Sequence, residues 1–139
     1  MRKIIIVIIA IFSASILNAQ DNVKIIVNPA NTISSITVSE LSNIFLKKVS
    51  KFDNGDKAVP VDQVADSPVR VSFSDQYLGK SVSAVKNYWN QQLFSGAGVP
   101  PEEKQNDAAV INFVKANAGA IGYVSSGASI TEVKVLNVH

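Results

Sequence analysis

Short apolar runs alternate with amphipathic stretches along this chain, and that alternation predicts a layered α/β fold. Three observations carry the prediction. The run at residues 23–27 is apolar and stops at Asn28-Pro29, as a buried strand does where it leaves into a loop. Thr37-Val38-Ser39-Glu40 spells a capping box, in which Thr37 and Glu40 satisfy backbone donors reciprocally at a helix start. Residues 121–124 and 133–138 are again short and rich in branched apolar side chains, as closing strands are.

Each remaining element has its own signal. The helix opened by Thr37 carries Val38, Leu41, Ile44 and Phe45 on one stripe, a spacing that buries one face. Asp53-Asn54-Gly55 marks a turn and residues 58–61 a second strand. Pro68 suits the first position of a helix, with Ser67 or Asp66 as its cap. Val69, Phe73 and Tyr77 then recur every fourth residue, and Gly79 terminates the pattern. Val82, Val85, Trp89 and Leu93 predict the next helix, followed by an irregular loop at 95–101. Glu102 and Glu103, after Pro100-Pro101, read as a favourable first helical turn. Asp107 is the expected cap of the last helix, with Val110, Phe113 and Val114 inward and Gly119 at its end.

The first twenty residues read as a secretory signal. Arg2 and Lys3 are followed by an apolar run at 4–12, and residues 13–20 turn small and polar. Cleavage is expected after Ala19 or Gln20, leaving residues 21–139 as one exported, periplasmic domain with no membrane insertion. The whole chain has 13 basic and 11 acidic residues. Without Arg2 and Lys3 the two signs balance, so a nucleic-acid partner loses its electrostatic basis. There is no cysteine, and the only histidine is the terminal His139. No HExxH, CxxC, GxSxG or Walker loop occurs, so no enzyme, metal site or cofactor is expected.

Four stretches in order, VKIIVNPANTISSITVSELSNIF (23–45), FDNGDKAVPV (52–61), DSPVRVSF (66–73) and AGAIGYV (118–124), carry a further reading. Together they resemble the second lobe of the phosphate ABC transporter periplasmic substrate-binding proteins, which have the type 2 periplasmic binding fold. The resemblance implies a layered α/β/α sandwich, a transport-related binding role and a single-lobe version of a two-lobed clamp. It also implies phosphate or another oxyanion as ligand. The partners it implies are a transporter, an envelope protein or a second copy of the chain.

The family's second lobe supplies an arginine and, after three intervening residues, a Ser-Gly-Thr that opens a helix on the anion. Here Gln63 takes the arginine position, Ser67 is kept, Pro68 takes the glycine and Val69 the threonine. Gln63 lacks the charged bidentate fork, and Pro68 has no N–H to donate. Anion binding is therefore expected to be weak, centred on Ser67 and Arg70. Arg70 opposes the helix dipole unless an anion sits there; the simpler expectation is a solvated pair with Asp66 or Asp62. Ser34 and Ser35, in the loop after the first strand, are further candidate contacts. Two functions remain open: a small extracytoplasmic binding module with weak oxyanion binding, or an envelope interaction module with no small ligand.

Overall fold

Residues 23–139 are described by the computed structural model; the expected leader lies outside them. Among these residues the sheet has six strands: β1 (Lys24–Val27), β2 (Ser35–Ile36), β3 (Val59–Gln63), β4 (Glu102–Lys104), β5 (Ala120–Val124) and β6 (Lys134–Val138). Their order across the sheet is β2-β6-β1-β5-β3-β4. β1 is antiparallel to both its neighbours, and every other pair is parallel. The carboxyl ends of β2, β3, β4, β5 and β6 therefore share one edge of the molecule.

Four α-helices flank the sheet: α1 (Val38–Phe45), α2 (Pro68–Phe73), α3 (Val82–Ser95) and α4 (Asp107–Ala116). One face buries Leu41, Ile44, Phe45 and Phe73 against Ile25, Ile121 and Tyr123; the other buries Val110, Ile111 and Val114 against Ile26, Val61 and Val124. The result is the expected three-layered α/β/α sandwich.

Local signals set most helix ends. Thr37 accepts from Glu40 N–H while Glu40 accepts from Thr37 N–H, completing the capping box. α1 closes with Lys47 N–H on the Ile44 carbonyl and Lys48 N–H on that of Asn43, a Schellman arrangement. Lys47 there has φ 53°, the left-handed region that glycine occupies most cheaply. α2 has Pro68 at its first position and continues as a π-helical turn, Ser74–Leu78, that Gly79 ends with φ 61°. Asn28 on the β1 exit donates to the carbonyls of Val114 and Lys115 and so closes α4.

Several elements differ from the sequence reading. Glu102 and Glu103 belong not to a helix but to β4, paired with Val61 and Asp62 of β3. The unpaired backbone edge of β3 takes them, and the outcome depends on a neighbour that local charge preference does not register. Asn106, not Asp107, caps α4 by accepting from Ala109 N–H. Val38 and Leu93 lie on the expected stripes, yet 41% and 50% of each is exposed, because each stripe is wider than the surface it meets. α4 stops at Ala116, with Asn117 as its cap. Gly119 instead allows a close crossing: a Cβ there would lie 2.3 Å from the Lys57 carbonyl oxygen.

Gly122 is the tightest point of the α4 face, where a Cβ would come within 2.7 Å of Val110 Cγ1 and 2.9 Å of Val61 Cγ1. Gly122→Ala should therefore destabilise the protein by about 1–3 kcal/mol, the usual cost of overpacking, as read from urea denaturation. An unchanged midpoint would show that α4 can move away from β5.

Candidate functional site

At the carboxyl end of β3 the chain turns through residues 64–66 into α2. β4 runs alongside and leads through Gln105 and Asn106 into α4. The two helices start on either side of an open cleft of about 420 Å³, bordered by Gln63, Asp66, Ser67, Pro68, Asn106 and Asp107. Two of these are carboxylates, and none of the residues lining the cleft is basic.

Gln63 forms the floor and is 2% exposed. Its Nε2 donates to Asp107 Oδ1 at 2.8 Å and to the Tyr123 carbonyl at 3.1 Å, while its Oε1 accepts from Ser67 Oγ at 2.9 Å. Both amide protons and the carbonyl are thus committed inside the protein. Ser67 caps α2 by accepting from Arg70 N–H at 3.4 Å, so its hydroxyl proton and one lone pair are spent locally. Asp107 is held from the far side by Ser125, whose N–H and Oγ donate at 3.2 and 2.5 Å.

Arg70 corrects an expectation. It is 4% exposed rather than solvated, and the helix turn points it back toward the sheet. Its Nε lies 3.7 Å from Asp62 Oδ1 and its Nη1 3.4 Å from Glu103 Oε1, while Nη1 also donates to the Gln63 carbonyl at 2.9 Å. Asp62 was one of its two expected partners; Asp66 is not engaged. Burial makes this pairing necessary, because a guanidinium cannot leave water without compensation.

Tyr123 completes the cluster from β5. Its hydroxyl donates to Asp62 Oδ1 in a short hydrogen bond and accepts from Gln63 N–H at 3.0 Å. Burial, and then the Asp62 charge, push this hydroxyl far above its ordinary pKa of 10.0, so it stays a neutral donor. Burial also raises the Asp62 carboxyl above its ordinary 3.8, outweighing the Arg70 charge and the Tyr123 hydrogen bond that pull it down.

Gln63, Ser67 and Arg70 are therefore gathered at one strand end. Ser34 and Ser35 are not. Ser35 is in β2, four strands from β3, which at about 4.8 Å per strand is about 19 Å away. It borders a separate cavity of about 120 Å³ beside Ile36, Glu40 and Phe52. Glu103, Asp107, Tyr123 and Ser125 were not foreseen as partners of the site. Glu103 comes from β4, Asp107 from the start of α4, and Tyr123 and Ser125 from the end of β5 and just beyond it; only the AGAIGYV stretch carried a signal for any of them.

Solved structures share this architecture. The chain superposes on an ABC-type phosphate transport receptor from Vibrio cholerae with a TM-score of 0.67 and 21% identity, over 85% of this chain and 46% of that one. A putative phosphate ABC transporter substrate-binding protein from Clostridium perfringens, with bound phosphate, gives 0.68 and 18%, over 85% and 45%. PstS from Borrelia burgdorferi gives 0.66 and 17%, over 86% and 47%. The fold is that of one lobe of such proteins. The chain spans about half the length of the structures it matches. No family model and no curated protein matches the sequence. Among the described residues, no helix is long and apolar enough to cross a membrane.

Two measurements test the cluster. Tyr123→Phe leaves the buried Gln63 N–H without its acceptor and should cost about 1–3 kcal/mol of stability, measured by urea denaturation; an unchanged midpoint would show that the hydroxyl is dispensable. The raised Asp62 pKa also has a pH signature. Between 3.8 and its raised folded value, the folded state binds more protons than the unfolded state. The contribution of Asp62 to stability therefore falls as pH rises through that window. Stability of Asp62→Asn relative to the parent should improve over the same range; a difference independent of pH would contradict the assignment.

Proposed function

We propose that this chain serves as an extracytoplasmic binding module built on one lobe of the phosphate-type substrate-binding fold. Its affinity for phosphate-like oxyanions at the Ser67 end is at most weak. One observation carries this reading: the floor of the cleft is a buried, fully hydrogen-bonded Gln63, and the only nearby guanidinium is turned away toward Asp62 and Glu103. An oxyanion entering the cleft would meet Asp66 and Asp107 before any cation, and like charges at close range oppose binding. Pro68 withholds one backbone donor from the same place. Export, by way of the residue 1–20 leader, belongs to the same proposal.

A second reading, an envelope interaction module without a small ligand, is favoured by a different surface. Phe94 at the end of α3 is 97% exposed and Val99 59%, within residues 87–101, which contain no charged side chain. Aromatic side chains on an uncharged surface suit protein contacts.

Calorimetric titration with phosphate and sulfate tests the first reading. The parent should bind with millimolar affinity or not at all, and tight binding would overturn the account of the cleft. Gln63→Arg with Pro68→Gly returns a charged fork and one N–H. Phosphate affinity should rise at least about tenfold, equivalent to about 1.4 kcal/mol. A folded double variant with no gain would mean that this cleft cannot make an anion site.

A further inference from the structure

The other end of β3 carries a cluster of unpaired positive charge. Lys47, Lys51 and Lys57 are exposed, and none of them forms an ion pair among the described residues. Lys51 and Lys57 face each other directly across an antiparallel bridge, where like charges repel and destabilise the pairing. Lys47 occupies the left-handed position at the end of α1, with φ 53°, where glycine or asparagine would be cheaper. The negative end of the helix dipole accounts for a cation at Lys47. It does not account for Lys57, which comes from another element to line the same groove.

That groove has a volume of about 180 Å³ and lies between the end of α1 and the hairpin 50–58. Lys47, Ser50 and Lys57 line it together with the apolar Ile44, Val49, Ala58 and Pro60. We propose that it binds a small amphipathic anion, a carboxylate carrying a short apolar chain. The two ammonium groups supply the charge that the head requires, and Ser50 can donate a further hydrogen bond. The apolar side chains cover the tail and remove it from water. At about 30 Å³ per water-sized unit, the groove takes about six such units, which matches a chain of a few carbons.

This site is independent of the cleft beside Ser67. Ala58 and Gln63 are five residues apart on one strand line, or about 17 Å at the rise of an extended chain. Success or failure of phosphate binding at the cleft leaves it untouched.

The test uses the protein of residues 21–139 with hexanoate as the probe, followed by amide chemical shifts in low-salt buffer. Saturable shifts should appear at Lys47, Val49, Ser50, Lys57 and Ala58. Hexanol, which lacks the charge, and inorganic phosphate, which lacks the tail, should each bind there at least about fivefold more weakly, a difference of about 1 kcal/mol. Lys47→Gln with Lys57→Gln should weaken hexanoate to a similar degree. Lys57→Gln alone should melt no lower than the parent, because it relieves the repulsion from Lys51. The proposal is overturned if hexanoate shifts do not saturate, if they map elsewhere, or if hexanol or phosphate binds the groove equally well. Unchanged hexanoate affinity in the double variant overturns it too. The comparison of probes on the parent protein stands whether or not the variants fold.

Discussion

Tyr123 joins the apolar interior of this protein to its polar end. Its ring stacks on Phe73 with centroids 3.9 Å apart and planes within 5°, and it meets Phe45 at 5.8 Å. One side chain thereby ties the central strand β5 to both α1 and α2. Its hydroxyl emerges where β3 ends and there binds Asp62 and the Gln63 N–H. The ring contributes dispersion and buried area. The hydroxyl satisfies polar groups whose burial would otherwise cost more than the fold could spare.

The rest of the cleft follows from that anchor. With Asp62 fixed by Tyr123, Arg70 has a carboxylate to turn toward, and Glu103 on β4 adds a second. With Arg70 committed, no buried cation is left at the cleft for Gln63 to compete with. The Gln63 amide is neutral, and Ser67, Asp107 and the Tyr123 carbonyl fully engage it. A neutral, self-satisfied floor has little reason to exchange its partners for an incoming anion. Desolvating that anion costs energy that a glutamine repays far less well than an arginine.

The two ends of β3 thus differ in kind. At the carboxyl end, the Arg70 guanidinium is buried and its charge is compensated within the protein by Asp62 and Glu103. At the amino end, Lys51 and Lys57 are left opposed and exposed. Internal balance suits a structural role, whereas unbalanced charge beside an apolar groove suits a role toward something outside the chain.

Local chemistry made much of this fold legible in the sequence. The capping box at Thr37, the proline at the start of α2, the left-handed Gly79 and the apolar runs of β1, β3 and β5 each depend on neighbours within four residues. Their physics is therefore complete in the sequence. Ser67 as a helix cap was readable for the same reason, whereas the loss of donors at Gln63 and Pro68 was readable only against the pattern of the family that the sequence resembles. What the sequence could not contain was which distant groups would meet. Glu103 became a strand residue because β3 offered an unpaired edge. Asp107 gave up the capping role to Asn106 and turned to Gln63 and Ser125, residues 44 and 18 positions away along the chain. Arg70 looked like a surface cation until packing put it beneath α2, where only Asp62 and Glu103 could compensate its charge. Burial is a property of the assembled layers, and it alone decides whether a charged side chain is left in water or must find a partner.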